Sequence, residues 1–243
     1  MATLFITGGN RGIGKAILRK FVENHYDVVV STRIQYEDFE AECKQLSSQF
    51  GVTISHVYMD LSSRESIKKG LTAFGALRVI PDVVVNNAGI FSEKTLMMST
   101  MAEIDTVFQI NYFSVVQISQ YMVKKMLRTG GTIINISSVG GIIKQALGTS
   151  YGASKAALNR LTTSMTQELA PFKIRVNAVA IGIASTDMRD QLSEKSLASI
   201  TCATAAQRSC ESNEIADVVY YLSSNESSFI NGQIVRVDGG LTF

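Results

Sequence analysis

Seven short apolar runs, separated by stretches of helical periodicity, predict an α/β protein built on a doubly wound seven-stranded parallel sheet. The runs occupy residues 4–7, 28–31, 54–58, 83–85, 133–136, 176–180 and 234–237 and are rich in β-branched residues. They do not alternate polar and apolar side chains, so both strand faces are buried, as in a parallel sheet covered by helices on both sides. Between them, residues 13–24, 36–50, 64–74, 101–127, 154–170 and 213–223 carry apolar side chains at helical spacing. Regular strand–helix alternation is the pattern of a doubly wound sheet.

The first strand begins at once. Met1-Ala2-Thr3-Leu4-Phe5-Ile6-Thr7 lacks the basic segment of a signal peptide. It runs into Thr7-Gly8-Gly9-Asn10-Arg11-Gly12-Ile13-Gly14 and then a helix. Gly8, Gly12 and Gly14 let the backbone turn tightly and come close to a ligand. The helix N-terminus offers N–H groups and a positive dipole end to a pyrophosphate. A plain tight turn is the other reading of the same glycines.

The second strand ends Val30-Ser31-Thr32-Arg33, with no acid. A cofactor with a free ribose 2′-OH is usually held by an acid there. Arg33, with Arg11, suits a 2′-phosphate instead, because a planar guanidinium matches phosphate oxygens. The expected cofactor is therefore NADP(H), the alternative being two surface arginines. Residues 185–212 are rich in Ser, Thr and Ala and weakly patterned, which predicts a lid or binding loop.

The remaining composition narrows the classes. A chain of 243 residues with only Pro81 and Pro171 and no Pro- or Ser/Gly-rich linker reads as one Rossmann-type domain over residues 1–243, with the lid at about 183–212. Hydrophobic residues make up 46% and the net charge is +2, without a Lys/Arg block. The first is ample for a core, and the second argues against nucleic acid as a partner. No apolar run is long enough to insert in a membrane. Cys43, Cys202 and Cys210 lack metal-ligand spacing and fit a reducing cytoplasm. His25 and His56 are too scattered for a metal site.

The catalytic candidates are Tyr151 and Lys155, four residues apart and so on one helical face, with Ser138 thirteen residues before the tyrosine. A free tyrosine has a pKa of roughly 10, and an ammonium one turn away is expected to lower it towards a useful proton donor. Taken alone, the spacing equally describes a solvated lysine beside a half-buried tyrosine.

With these residues together, the chain resembles the short-chain dehydrogenase/reductase family over nearly its whole length. Thr7-Gly8-x-x-x-Gly12-Ile13-Gly14 looks like that family's cofactor turn. Asp60-Leu61 matches the pair whose acid holds the adenine amino group. Asn86-Asn87-Ala88-Gly89 matches the motif closing strand four beside the nicotinamide ribose, and Asn111 stands where the family has a fourth catalytic residue. Asp238-Gly239-Gly240 resembles the closing motif. Within the family, Tyr151-Gly152-Ala153-Ser154-Lys155-Ala156-Ala157-Leu158, Arg175-Val176-Asn177-Ala178-Val179-Ala180 and Thr186-Asp187-Met188 are most similar to 3-oxoacyl-[acyl carrier protein] reductases.

The resemblance implies NADPH-dependent reduction of a 3-oxoacyl thioester in acyl-chain synthesis, catalysed by Asn111, Ser138, Tyr151 and Lys155. It implies cofactor contacts from Thr7, Gly8, Asn10, Arg11, Gly12, Ile13, Gly14, Thr32, Arg33, Asp60, Leu61, Asn87, Ala88, Gly89, Tyr151, Lys155, Gly182 and Thr186. It also implies a homotetramer or homodimer paired through helices 101–127 and 154–170. Reduction of a sugar, small ketone, quinone or steroid is the competing reading, and a cofactor-binding sensor without catalysis a third.

Three departures stand out. Ile181-Gly182 replaces the usual Pro-Gly after strand six, which is expected to free the root of the lid. Ala206-Gln207-Arg208 lacks the usual proline. Phe172 stands where carrier-protein reductases often have arginine, although Lys173 follows it and Lys124, Lys125 and Arg128 are expected close to the other rim of the active-site entrance.

Overall fold

The computed structural model describes residues 1–143, 148–186 and 194–242. Seven parallel strands form one sheet in the order β3-β2-β1-β4-β5-β6-β7. They are β1 (Thr3–Thr7), β2 (Asp27–Thr32), β3 (Ile54–Tyr58), β4 (Val83–Asn86), β5 (Gly131–Ser138), β6 (Ile174–Ile181) and β7 (Ile234–Val237). The helices are α1 (Gly12–Glu23), α2 (Glu37–Phe50), α3 (Arg64–Ala76), α4 (Met101–Phe108), α5 (Ser114–Met126), α6 (Thr149–Leu169), α7 (Glu194–Ala203) and α8 (Ser212–Ser223).

Period-two side-chain alternation divides the core in two. Leu4 and Ile6, Val28 and Val30, and Val83 and Val85 face α1, α2 and α8. Their neighbours Phe5, Val29 and Val84 face α3, α5 and α6. Both halves are apolar and closed, which is why the strands read as unbroken hydrophobic runs. Chain order reverses between β1 and β4, and the carboxyl ends of strands beside such a switch point form the usual ligand crevice.

Three elements depart from the sequence reading. The helix expected at 101–127 is interrupted by a π-turn, Gln109–Phe113, between α4 and α5. There the Ser114 N–H reaches Gln109 O, and the Ser114 hydroxyl donates to Ile110 O at 2.6 Å. Apolar periodicity does not register one extra residue in a turn. The helix expected from residue 154 starts at Thr149, after Gly148 in the left-handed region (φ 74°), so Tyr151 lies in its first turn. The segment 185–212 contains a helix, α7, which its weak pattern concealed.

Candidate active site

The connections that follow β1 and β4, on either side of the switch point, are bolted together. Asn87 Nδ2 donates to Thr7 O at 2.9 Å and to Gly8 O at 3.0 Å, while Thr7 Oγ1 accepts from Asn87 N and Ala88 N, both at 3.0 Å. Gly8 N donates to Ser31 O at 2.8 Å. A Cβ on Gly14 would lie 2.0 Å from Gly8 O and 2.5 Å from Asn87 Nδ2, and one on Gly8 3.0 Å from Ala88 Cβ. Gly8 and Gly12 also have positive φ, 69° and 50°. These glycines are dictated by close packing, as well as by any ligand.

The cradle fits a dinucleotide phosphate. The first turn of α1 contains no acid, and its N-cap Arg11 makes no side-chain capping bond. Anions are favoured at such an end by the helix dipole and its N–H groups. Thr186 stands over Gly12, whose Cβ would come 3.3 Å from Thr186 Cγ2. Asn10 is half-buried at the turn, whereas Ile13 packs into the hydrophobic core.

At the ends of β2 and β3 the candidates divide by task. Thr32 is buried and its hydroxyl donates to Ile34 O at 2.8 Å, so it shapes its own turn. Arg33 is exposed. Asp60 Oδ1 accepts from Ser62 N at 2.9 Å and Ser62 Oγ at 2.7 Å. Those bonds hold its carboxyl below the usual range, with a smaller contribution from the positive charge of Arg33. Leu61 follows, and its carbonyl accepts from Gln109 Nε2 at 3.1 Å.

The catalytic candidates converge beside β4 and β5. Ser138 ends β5, Tyr151 and Lys155 project from α6, and Asn111 lies in the π-turn. All four are buried. Asn111 Oδ1 accepts from Ile90 N at 2.9 Å, while its Nδ2 donates to Ile90 O at 3.0 Å and Ser154 Oγ at 3.1 Å. Ser154 Oγ donates to Tyr151 O at 2.7 Å. A Cβ on Gly89 would lie 3.1 Å from Asn111 Oδ1 and 3.5 Å from Lys155 Nζ. Phe91 sets its ring edge-on to Tyr151, with centroids 5.0 Å apart. Sequence reading did not single out Ser154, Gln109 or Phe91. Ser154 was nearest to legibility, lying between Tyr151 and Lys155.

The electrostatics reverse one expectation. Lys155 Nζ donates to Ile136 O at 2.8 Å and lies 5.8 Å from the Tyr151 ring centre. Burial pushes the Tyr151 phenol up from its ordinary value, a hydrogen bond with Ser138 opposing it. Burial also lowers Lys155 to about 8. The expected depression of Tyr151 by Lys155 is absent because desolvation dominates while the ammonium is engaged by a carbonyl.

A family model described as enoyl-(acyl carrier protein) reductase matches residues 8–242. The chain belongs to the short-chain dehydrogenase/reductase family. It is thus an oxidoreductase acting on CH-OH or carbonyl groups, in a family that uses nicotinamide cofactors. The 3-oxoacyl-[acyl-carrier-protein] reductase FabG of Aquifex aeolicus is 34% identical over 237 residues, covering 97% of this chain and 95% of the relative. The crystal structure of a 3-oxoacyl-[acyl-carrier protein] reductase from Brucella melitensis has a TM-score of 0.90 at 30% identity, covering 100% of this chain and 91% of that one. A blue fluorescent protein from a metagenomic library, solved with NADPH, has a TM-score of 0.90 at 27% identity, covering 100% of this chain and 98% of that one.

The departures from family pattern look different in three dimensions. Ile181 is the last residue of β6, paired with both Ser138 and Val237, and Gly182 N donates to Val237 O at 3.0 Å. The strand therefore continues to the lid root instead of being freed, because isoleucine suits a ladder in which proline lacks a donor. Gly182 abuts Asp238, whose Cα would be 2.9 Å from an added Cβ. Beyond it, Cys210 N donates to Ile183 O and Ser185 N to Cys210 O, at 2.8 and 2.9 Å. Ala206 N reaches Gly239 O at 3.0 Å, so Asp238-Gly239-Gly240 anchors the far end of this excursion. Asp187 and Met188 lie outside the described residues.

The expected cations are not beside the catalytic groups within this chain. Lys124 and Lys125 close α5, Arg128 follows, and Lys173 O accepts from Gly131 N at the start of β5. Ser138 is at the other end of that strand, about 23 Å away at the usual rise per residue. Among the described residues no helix is long and apolar enough to cross a membrane, and no cluster of His, Cys, Asp and Glu could hold a metal ion.

Proposed function

We propose that this chain reduces a 3-oxoacyl thioester, linked to acyl carrier protein or CoA, to the 3-hydroxyacyl product with NADPH, in the cytoplasm, as part of acyl-chain synthesis. The observation that carries the reading is the convergence of Ser138, Tyr151, Lys155 and Asn111 at the switch point, beside a glycine cradle without an acid at the end of β2. The likeness to 3-oxoacyl reductases supports the substrate class.

In this reading Gly8, Gly12 and Gly14, with Asn10, Arg11, Ile13 and Thr186, would hold the pyrophosphate. Arg33, beside the turn that Thr32 shapes, would hold the 2′-phosphate, Asp60 and Leu61 the adenine, and Asn87, Ala88, Gly89 and Gly182 the nicotinamide half. The cofactor supplies hydride. Ser138 and Tyr151 donate hydrogen bonds to the substrate oxygen as negative charge develops there. Tyr151 then gives up its proton as general acid, a contribution typically of ~10²–10⁴-fold. Burial raises its pKa in the cofactor-free chain and so makes the phenol a weaker acid, which leaves the transfer dependent on stabilising the phenolate as it forms. Lys155, within reach of Gly89 and Ile136, would hold the ribose hydroxyls, and once drawn off Ile136 O its ammonium would favour the phenolate left after transfer. Asn111 holds α6 through Ser154 and, through its carbonyl group, would hold a water that passes protons from solvent to Lys155.

Residues 183–212 act as the substrate lid, and the chain assembles as a homotetramer or homodimer. Leu96, Met97, Met98 and Met101, exposed at and just before the start of α4, give such assembly an apolar surface. The second reading, another carbonyl such as a sugar, small ketone, quinone or steroid, is favoured by Phe172 in place of an arginine. NADPH oxidation with an acetoacetyl thioester, followed by a panel of sugars and ketones, separates the two. Turnover on the panel but not on the thioester would reject the 3-oxoacyl assignment.

A further inference from the structure

The π-turn is gripped from both sides. Inside, Asn111 is bonded to Ile90 and Ser154. Outside, Gln109 Nε2 donates to Leu61 O at 3.1 Å and Gln109 Oε1 accepts from Arg64 Nε at 3.3 Å. The Arg64 guanidinium also lies 5.4 Å from the centre of the Phe113 ring, at the other end of the turn. Gln117 Nε2 donates to Arg64 O at 3.0 Å. The segment holding Leu61 is itself ordered by Asp60, whose Oδ1 accepts from Ser62 and whose N–H donates to Ser66 Oγ at 2.9 Å.

A continuous path therefore runs from Asp60 and Leu61 through Gln109 and Asn111 to Ser154 and Tyr151. Its middle is a rare backbone state. A π-turn is an α-helix with one extra residue in a turn, and collapse to α geometry would rotate Asn111 by about 100° relative to α5. Coupling two sites through this turn requires that α geometry be its second arrangement and that both ends bias the choice.

We propose that Gln109 is a positioning residue. It locks the π-turn register to the loop Asp60–Leu61 and so makes the placement of Asn111, Ser154 and Tyr151 depend on the order of the adenosine end. This rests on the proposed cofactor site, with adenosine over Asp60. It assigns a role to a side chain that touches neither substrate nor cofactor.

The test is hydrogen exchange on the whole protein with adenosine 2′,5′-bisphosphate, which fills only the adenosine end, combined with steady-state kinetics. In the wild type the bisphosphate slows exchange at residues 8–14 and 60–63 and also at 109–116 and 149–155. In Gln109→Leu protection stops at the first two segments. There kcat falls on the order of tenfold, as expected for losing two hydrogen bonds, while the KM for the carbonyl substrate is little changed. Gln109→Glu keeps the acceptor for Arg64 but has no donor for Leu61 O, so protection again stops short of the π-turn; protection that reaches 109–116 in this variant would also overturn the proposal. Protection that spreads to 109–116 in Gln109→Leu as in the wild type overturns the proposal. So does wild-type protection at 8–14 and 60–63 that fails to reach the π-turn, in which case the cofactor site stands. Absence of protection at 8–14 in the wild type removes the cofactor site and the coupling with it.

Discussion

Replacing Lys155 with methionine is expected to stabilise the cofactor-free protein at neutral pH, by an amount that shrinks as pH rises. Lys155 is 5% exposed, and burial lowers it from 10.5 to about 8. Folding at pH 7 therefore encloses an ammonium that prefers water, at a cost of roughly 3 kcal/mol from the separation of the two values. The sign follows from proton binding. Between about pH 8 and 10.5 the unfolded chain holds a proton that the folded chain has released, so wild-type stability rises with pH across this window. The favourable contribution of neutral Lys155 is complete above the unfolded value and is lost as pH falls through the folded one.

The methionine variant lacks this group. Its advantage over wild type should narrow by about 2 kcal/mol between pH 7 and 9.5. Loss of the bond to Ile136 O, 2.8 Å long, lowers the advantage at every pH and leaves that difference nearly intact. Urea unfolding of both proteins at a series of pH values in this range measures it. A gap that is constant with pH, or that widens on alkalinisation, would refute the assignment of a desolvated Lys155.

Tyr151→Phe removes the proposed general acid without disturbing the cradle, so turnover should fall by at least ~10²-fold while NADPH fluorescence titration gives nearly unchanged affinity. Wild-type-like rates would sink the mechanism. Arg33→Asp places a carboxylate at the end of β2 and should move the kcat/KM preference from NADPH towards NADH; an unaltered ratio would reject the role of Arg33. Gly14→Ala forces a methyl to within 2.0 Å of Gly8 O and is expected to lower the unfolding free energy by 1–3 kcal/mol or more, by the usual cost of overpacking. Unfolding at the wild-type midpoint would show that the turn yields more easily than its contacts imply.

The strand ends were the most legible part of the site. Thr7, Asn87 and Ser138 each close a buried apolar run, and strand ends beside a switch point must lie together once the sheet order is set. Gly8 and Gly14 were legible as a tight turn. That Gly14 packs against both Gly8 O and Asn87 Nδ2 was not, since that contact spans two βα connections. Asn111 was placed in a helix by periodicity, but the π-turn around it depends on Ser114, Arg64 and Leu61 and leaves no period of its own. The lysine cations were misplaced because distance along the chain does not say which end of a strand a residue occupies.

Sequence alone determined which chemical groups this chain carries and in what order: a glycine turn, a β2 end without an acid, and a tyrosine one helical turn from a lysine. Those are local properties, fixed by residue type and spacing. Only the tertiary structure decided the balance of forces on them. Packing buried Tyr151 and Lys155, so that desolvation rather than their mutual attraction shifts their pKa values, the tyrosine's up and the lysine's down. The reason is physical: a pKa and a backbone register answer to every neighbour in space, and most of those neighbours are far away in the chain.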